Sequence, residues 1–366
     1  MSRSLTVVHV STQRGWHGGE QQAALLVRGL RERGQRSIVF ARRGGAFSGR
    51  LAAEGFEVTP FGGSGRNPGA VWQMRRRLRA ILPDVIHFHD SHALTAGGLA
   101  AWRLPIAARV AARRVVFPIR SAWRFNWFAD RVIAVSQSVA EVCRASGVEP
   151  RRIRVVHDGV DPSRARSGDR ARGRQSLSLD DATPLVLCVA SLSEAKGHTF
   201  LLQSLPAVLA RHPQACLALA GDGPMRNGLA AQAKQLGVER AVRFLGYRDD
   251  VPDLLKAADL FVMPSLSEGM CSSLADAMFA RTPLVTTAAG GIADIVGKSQ
   301  GSADAVARIV PERDPGAMAA AIVAALDARE SLGPMVDRAQ ARAERLFTAD
   351  RMVEGTLAVY RELVGE

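Results

Sequence analysis

Short apolar runs alternate along the chain with longer amphipathic segments, a pattern typical of strands followed by helices. Residues 5–10 form the first apolar run. The segment at 20–33 repeats apolar residues at Ala23, Val27 and Leu30, the spacing of one helix face, before the helix stop at Gly34. Further strands are predicted at 37–40, 85–88 and 132–135, with helices at 72–82 and 138–145. This alternation predicts a parallel sheet with helices on both faces.

The alternation breaks once, at residues 161–181, where the chain is rich in Arg, Ser, Gly and Asp. We interpret this tract as a linker. Beyond it, strands are predicted at 185–189, 216–220, 242–245, 260–263 and 284–287, with helices between them. The fold class is therefore α/β, with two doubly wound Rossmann-like domains facing each other across a cleft where a ligand is expected.

Length and composition agree with two globular domains. The chain has 366 residues, 47% of them hydrophobic and 23% charged, which excludes wholesale disorder and fibrous structures. No stretch approaches the 18 apolar residues of a membrane-spanning helix, and the N-terminal run is too short for a secretory signal. The four cysteines are scattered, which argues against a disulfide scaffold or a zinc site and predicts a reducing, cytoplasmic location.

The net charge of +13 has two interpretations. Because 44 of the 48 basic residues are arginines, a bias in genomic base composition explains much of the excess. The charge then serves either as a solubilising surface or as an attraction to anionic lipid head groups. Nucleic acid is not expected as a partner, since aromatic residues are 5% and no binding motif is present.

In the first half, a glycine-rich loop precedes the first predicted helix. Gly15, Gly18 and Gly19 would let the backbone approach a ligand, and the helix start offers N–H groups to an anion. The loop does not match G-x-G-x-x-G, so a dinucleotide is not supported. The alternative is a tight turn that needs glycine for steric reasons alone.

Histidines cluster at residues 84–92. Strand periodicity puts His87 and His89 on one side, at the carboxyl end of a strand, and His92 follows in the loop. The spacing is not a standard zinc motif, so no metal site is predicted. An imidazole that hydrogen-bonds a sugar hydroxyl or carboxylate is favoured, beside a purely structural role.

The second half places several polar residues after predicted strands. Lys196 lies between a strand and a helix, where it could neutralise a phosphate or simply lie on the surface. Glu268 lies in a turn and Asp276 in the next helix, with seven residues between them, up to ~12 Å apart along the helix axis. Free N–H groups near Cys271, Ser272 and Ser273 favour an anion between the two carboxylates. Together these features suggest a nucleotide-sugar cradle.

An ordered series of motifs then resembles the retaining glycosyltransferases of family 4, which have the two-domain GT-B fold. The series runs through almost the whole chain. Its members are Gly-Gly-Glu at 18–20, the strand at 84–89, Asp-Arg-Val-Ile-Ala-Val-Ser at 130–136, His-Asp-Gly-Val-Asp at 157–161, Lys-Gly at 196–197, Gly-Asp-Gly-Pro at 221–224, Gly-Tyr at 246–247, Ser-Glu-Gly at 267–269, Asp-Ala-Met at 276–278, Thr-Pro at 282–283 and Gly-Gly-Ile at 290–292.

The resemblance implies a division of the chain. Residues 1–162 form the acceptor-side domain, 163–182 the linker and 183–345 the nucleotide-sugar-binding domain. Residues 346–366 form a C-terminal helix that crosses back to the first domain.

The resemblance also implies a role for each matched residue. Gly18 and Gly19 would approach the donor phosphate, and His89 would bind the transferred sugar. Lys196 would neutralise the diphosphate, and Glu268 would contact the hydroxyls of the donor sugar. The remaining donor-binding positions are Asp276 at the ribose, the backbone of Tyr247 and Arg248 at the base, and Ser191, Cys271, Ser272 and Ser273 around the phosphates.

Three positions depart from the family pattern. Asp276 replaces the usual second Glu and is one methylene shorter, which bears on donor affinity more than on the reaction. Ser191 stands where an arginine usually lies five residues before the lysine, so one phosphate partner is missing or is supplied from elsewhere. Asp158 stands in place of the usual Asn, with no role that the sequence assigns.

The hypothesis is a metal-independent, retaining transfer of a sugar from UDP or GDP to an acceptor hydroxyl, with no cofactor. The acceptor would be a lipid-linked sugar, a lipopolysaccharide core or other envelope glycan, or a small molecule, and the enzyme would lie peripherally on the inner face of the plasma membrane. The alternatives are a nucleotide-sugar epimerase and a catalytically degenerate partner of an active transferase. A nicotinamide or flavin oxidoreductase is disfavoured by the missing G-x-G-x-x-G.

Overall fold

The computed structural model describes residues 3–62, 67–297 and 304–366. These residues divide into two compact units, one made of Met1–Gly159 with Ala349–Glu366 and the other of Val160–Thr348. The strands are β1 (Thr6–Ser11), β2 (Arg36–Arg42), β3 (Glu57–Phe61), β4 (Val85–Phe88), β5 (Ala108–Arg113), β6 (Arg131–Ala134), β7 (Ile153–Val155), β8 (Leu185–Val189), β9 (Cys216–Ala220), β10 (Val242–Gly246), β11 (Leu260–Met263), β12 (Leu284–Thr286) and β13 (Arg308–Ile309). The helices are α1 (Gly18–Glu32), α2 (Ala46–Ala53), α3 (Pro68–Ile81), α4 (Ser91–Ala100), α5 (Ala122–Phe128), α6 (Gln137–Ala145), α7 (Pro162–Arg166), α8 (Arg170–Ser176), α9 (His198–Arg211), α10 (Arg226–Gln235), α11 (Val251–Ala257), α12 (Ser272–Phe279), α13 (Ile292–Val296), α14 (Pro315–Asp327), α15 (Gly333–Leu346) and α16 (Ala349–Val364).

Each unit is a doubly wound parallel sheet, as the alternation predicts. The first unit has seven strands in the order β3-β2-β1-β4-β5-β6-β7, and the second has six in the order β10-β9-β8-β11-β12-β13. The strand order reverses between β1 and β4 in the first sheet and between β8 and β11 in the second. Loops that follow those strands open a crevice at the carboxyl edge, where ligands of such sheets bind.

The C-terminal helix α16 belongs to the first unit. It buries Tyr360 and Leu357 against the apolar side chains of β1, β4 and β5. A Cβ on Gly29 of α1 would lie 2.5 Å from the side chain of Val353, so the two helices are in close contact only because this position is glycine. The last helix is thus part of the first unit's core, since it covers one face of that sheet.

The tract at 163–182, expected to be a linker, carries two short helices within the second unit. Asp161 caps α7 and Asp169 caps α8 with their side chains, which is why a stretch with few apolar residues becomes helical. Arg174 of α8 is buried and donates to the carbonyl of Ala257 at 2.8 Å, with Asp259 3.6 Å away. Polar contacts, which hydrophobic periodicity does not register, order this tract.

The sequence gives weak signals for two elements of the first unit. Helix α4 contains Gly97 and Gly98, which resemble a loop in the sequence. A Cβ at either glycine would lie 2.5 Å from the ring of Phe88 or Phe128, so both glycines serve close packing. Strand β5 is half alanine and has no alternation.

Among the described residues, no helix is long and apolar enough to cross a membrane.

Candidate functional site

In the second unit, the two loops at the strand-order reversal bring a lysine and a glutamate together. Lys196 ends a short 3₁₀ turn between β8 and α9, and Glu268 lies between β11 and α12. The Lys196 Nζ donates to Oε1 of Glu268 at 2.7 Å. The same carboxylate oxygen accepts a hydrogen bond from Ser265 Oγ at 2.8 Å, and Glu268 is only 5% exposed. Two residues 72 positions apart therefore form one buried ion pair.

Lys196 carries its positive charge at neutral pH. Burial alone would lower the pKa of Lys196, but the adjacent Glu268 carboxylate outweighs it, so the pKa is raised above its ordinary value. A permanent cation beside a fixed carboxylate suits a ligand that carries both anionic oxygens and hydroxyl groups.

Backbone contacts hold the two loops in register. Leu266 N donates to the carbonyl of Ala195 at 2.8 Å. Gly197 has a φ of +65°, and a Cβ there would lie 2.0 Å from the carbonyl oxygen of Pro264. Gly290 has a φ of +54°, and its added Cβ would lie 2.2 Å from the carbonyl oxygen of Glu268. Both glycines are needed because a side chain would push the Lys196–Glu268 pair apart.

The start of α12 lies next to Glu268. The helix begins at Ser272, and the Cys271 side chain at its N-cap makes no capping hydrogen bond. Cys271 is buried, its Sγ lies 3.5 Å from Ser273 Oγ, and burial raises the pKa of its thiol to about 12. The neutral thiol adds no negative charge of its own at the positive end of the helix, which suits an anion site.

Asp276 lies about one turn after the start of α12, and its side chain is half-buried. Burial raises its pKa to about 6, Arg164 opposes that shift, and Asp161 adds to it. Because the folded pKa exceeds the ordinary value of 3.8, this group favours folding most at pH below 3.8, and that contribution is lost as pH rises through about 6. Lys196 and Glu268 lie together, as expected. The charged neighbours of Asp276 are Asp161 and Arg164, at and near α7. The place of Asp276 in the same site therefore stays a prediction.

The remaining donor-side residues lie at the ends of β8 and β10. Ser191 is exposed, with its Oγ 3.4 Å from Ser193 Oγ. Tyr247 is exposed, and Arg248 pairs with Asp250 through Nε and Oδ1 at 2.7 Å. The Arg248 side chain is thus occupied within the protein, which leaves its backbone for the predicted base contact.

In the first unit, the glycine loop leads into α1 as predicted. His17 is the N-cap, and Glu20 Oε2 accepts from the His17 backbone N–H at 3.0 Å in a capping box. A Cβ on Gly18 would have nothing within 4 Å, while one on Gly19 would just reach Arg114. Gly18 is therefore not required for close packing, and the open space beside it would allow a ligand to approach the backbone.

A buried histidine cluster lies at the strand-order reversal of this sheet. His9 on β1 and His89 after β4 are joined through Nδ1 and Nε2 at 3.0 Å, and His87 Nδ1 contacts the hydroxyl of Tyr360 at 2.6 Å. His89 Nδ1 and His87 Nε2 are buried without a hydrogen-bond partner. Burial lowers the pKa of all three histidines, that of His9 to about 3, so the rings are neutral. Sequence reasoning missed His9, because one histidine inside an apolar strand gives no signal until its neighbour is known.

The cluster has the donors for a metal ion but not the usual orientation. One nitrogen from each of His9, His87 and His89 lies within 4.8 Å of the others. Their rings are stacked, with His87 and His89 4.4 Å apart at 25° and His9 and His89 5.3 Å apart at 15°. Nitrogens in nearly parallel planes do not converge on one ion as ligands do. The arrangement favours a hydrogen-bonded imidazole network in which Nδ1 of His89 has no protein partner.

Arg114 connects this cluster to Asp158. Its guanidinium contacts Asp158 at 3.3 Å and the backbone carbonyl of His89 at 3.4 Å. Burial raises the pKa of Asp158, and Arg114 opposes that shift. A carboxylate in place of the usual Asn therefore serves to hold an arginine beside His89, a role that the sequence alone left open.

Two family models match the chain, one on each unit. Residues 16–164 match the model described as Glycosyltransferase Family 4, and residues 183–328 match Glycosyl transferases group 1. Together the two segments span well over half of the chain. The chain belongs to this family of glycosyltransferases. The resemblance drawn from the ordered motifs is thereby confirmed.

Relatives and solved structures of this family agree. The protein is 32% identical over 259 residues to D-inositol 3-phosphate glycosyltransferase 2 of Catenulispora acidiphila, a match covering 64% of this chain and 59% of that one. It is 32% identical over 250 residues to D-inositol 3-phosphate glycosyltransferase of Mycobacterium tuberculosis, covering 65% and 50%. Matches to these curated relatives thus span between half and three-fifths of their length.

The fold is shared over nearly the full chain with solved structures. Anabaena Alr3699/HepE, solved in complex with UDP and glucose, superposes with a TM-score of 0.85 at 22% identity, covering 98% of this chain and 100% of that one. WaaG, a glycosyltransferase involved in lipopolysaccharide biosynthesis, gives 0.71 at 17% identity, covering 98% and 100%. The predicted GT-B class is confirmed.

Proposed function

We propose that the protein transfers a sugar from a nucleoside diphosphate to an acceptor hydroxyl, with retention at the anomeric carbon. The observation that carries the proposal is the Lys196–Glu268 pair at the reversal point of the sheet that matches the group 1 model. A cation beside a buried carboxylate suits the two parts of a nucleotide sugar, its diphosphate and its hydroxyl groups.

In this proposal, the second unit holds the donor. Lys196 and the free N–H groups at the start of α12 stabilise the charge that grows on the diphosphate as its bond to the anomeric carbon breaks. The acceptor oxygen forms the new bond on the same face, and its proton passes to the departing phosphate oxygen. These groups provide the positive charge, so we propose that no metal is needed.

The first unit contributes His89 to the transferred sugar. Its Nδ1 is buried without a hydrogen-bond partner, and the ring is neutral, so it can bind a sugar hydroxyl without bringing a charge. Gly18 and Gly19 offer backbone N–H groups at the start of α1 to the donor phosphate.

For the substrates, the comparisons suggest a narrower choice than the residues do. HepE is solved with UDP-glucose, which makes a UDP-sugar the first donor to test and a GDP-sugar the second. The curated relatives are named for D-inositol 3-phosphate, so a polyol phosphate is the first acceptor to test. Acceptors from envelope glycans, lipopolysaccharide core and glycolipids follow, with a peripheral location at the inner face of the plasma membrane.

The test begins with a thermal-shift screen of UDP- and GDP-sugars, because a ligand at 100 times its Kd stabilises the native state by ~2.7 kcal/mol. The stabilising donor is then incubated with each acceptor, with and without EDTA, and the anomeric configuration of the product is read by NMR. Acceptor-dependent product with retained configuration is expected in both conditions. Conversion of the donor without any acceptor would indicate an epimerase, and donor binding without turnover on any acceptor would indicate a degenerate partner.

A further inference from the structure

Four of the five tryptophans in the chain are exposed on the first unit. Trp72 is 63% exposed, Trp102 40%, Trp123 57% and Trp127 66%. Tryptophan is highly buried on average, so four exposed examples in one unit indicate a surface that contacts a partner.

Three of these tryptophans form one surface. Trp123 and Trp127 lie one turn apart on α5, with ring centroids 6.4 Å apart. Trp102, which follows α4, stacks on Trp127 at 5.4 Å and 24°. We call Trp102, Trp123 and Trp127 the tryptophan face.

Helix α3 is tied to the same surface. Arg75 of α3 donates to the backbone carbonyl of Trp102 at 2.7 Å and to that of Ala100 at 3.0 Å. Trp72 lies on α3, with the Arg76 guanidinium 5.9 Å from its ring. Helix α3, which carries Trp72 and Arg76, is therefore anchored to the end of α4 beside the tryptophan face.

The segment that builds this surface is strongly basic. Residues 58–129 contain eleven arginines and only two acidic residues, Asp84 and Asp90. Among the described residues, five of these arginines have exposed side chains, namely Arg76, Arg77, Arg79, Arg103 and Arg120. Both carboxylates are engaged inside the unit, Asp84 with the Thr6 backbone N–H at 2.8 Å and Asp90 with Thr12 Oγ1 at 2.7 Å. Exposed Arg103 and Arg120 adjoin the tryptophan face in sequence, with no acidic neighbour between 91 and 129.

We propose that the tryptophan face is the contact surface for an anionic lipid bilayer. Indole rings partition to the interface between head groups and acyl chains, and arginines attract anionic head groups. A second copy of the chain would bring two basic surfaces together, and a neutral glycan would not use the arginines, so charge complementarity favours lipid. This inference depends on the proposed function in one respect only: it explains the peripheral membrane location proposed for the enzyme.

The test is vesicle co-sedimentation of the full chain with phosphatidylcholine vesicles, alone or containing phosphatidylglycerol. We expect at least tenfold stronger binding to the anionic vesicles, with a blue shift of tryptophan fluorescence. A double variant, Trp123→Ser with Trp127→Ser, should lose binding at least tenfold, and Arg120→Glu should lose it about tenfold. Arg240→Glu, an exposed charge reversal in the second unit, is the matched control and should bind within twofold of the wild-type chain.

Equal vesicle binding by the double variant and the wild-type chain overturns the proposal. Absence of binding to the anionic vesicles by the wild-type chain also overturns it, and a concentration-dependent dimer that the double variant abolishes would then make the surface an interface between copies. An unchanged melting temperature shows that the variants are folded. Because the binding assay needs no sugar donor, failure of the proposed transferase activity would leave its result intact.

Discussion

Replacing Lys196 by alanine tests the site most directly, because the substitution acts on both activity and stability. In the folded protein Lys196 Nζ is 2.7 Å from the carboxylate of Glu268, which is almost fully buried. Removal of the ammonium leaves that carboxylate with Ser265 but no cation. We expect a loss of ~3 kcal/mol in the free energy of unfolding, the scale of breaking a buried ion pair.

The effect on catalysis has a separate origin. If Lys196 stabilises charge on the departing diphosphate, its loss lowers kcat/KM by ~2–4 kcal/mol equivalent, or roughly 30- to 1000-fold. Steady-state kinetics with the donor found in the screen measure this change, and urea unfolding measures stability. Lys234→Ala, at an exposed position on α10, is the control and should change neither quantity.

A double variant separates the two effects. Lys196→Ala combined with Glu268→Gln removes the unpaired buried charge, so it should recover most of the lost stability without recovering turnover. Near-normal kcat/KM in the single variant would refute the assignment of Lys196 to the diphosphate. Failure of the double variant to recover stability would show that the ion pair is not what holds the two loops together.

Three further predictions follow from single positions. Gly290→Ala should lower the free energy of unfolding, measured by urea unfolding, by about 2 kcal/mol or more. The reason is that the backbone there has a positive φ and the added Cβ would lie 2.2 Å from a backbone carbonyl oxygen. Gly228→Ala on α10, where an added Cβ meets open space, is the control and should not destabilise the protein. Nucleotide affinity measured by calorimetry should weaken as pH falls through about 6, where the Asp276 carboxylate gains its proton and loses acceptor capacity, and Asp276→Asn should remove this component of the pH dependence. Arg174→Met should cost ~3 kcal/mol in stability because it leaves buried carbonyl groups unpaired. Arg172→Met, at an exposed surface pair, is the control and should leave the urea unfolding curve nearly unchanged.

The sequence was sufficient for nine of the thirteen strands in the described residues, because strands buried on both faces give continuous apolar runs, but it missed β3, β5, β7 and β13. The prediction at 85–88 coincides with β4, and that at 185–189 coincides with β8. Helix α3 begins four residues before the predicted start, at Pro68, where Asn67 accepts from the Ala70 N–H as N-cap. Asn-Pro before a periodic segment is a readable start signal, and apolar periodicity alone overlooks it.

What the sequence could not supply are contacts between residues far apart in the chain. The roles of Arg114 and Asp158 depend on an approach of two loops 44 positions apart. His9 became a candidate only when β1 and β4 were seen to be neighbours, with His9 in register beside His87. Polar pairs of this kind follow no periodicity, so their identification requires the register of the sheet.

The two reversal points explain why the candidate residues follow the strands that they do. In each sheet the first strand and the strand that starts the second half lie side by side, β1 with β4 and β8 with β11. Only the loops after such a pair diverge to opposite faces, which leaves a crevice between them. His89 and the glycine loop occupy these positions in the first unit, and Lys196 and Glu268 occupy them in the second. Topology therefore favours these two positions for the chemistry of the chain.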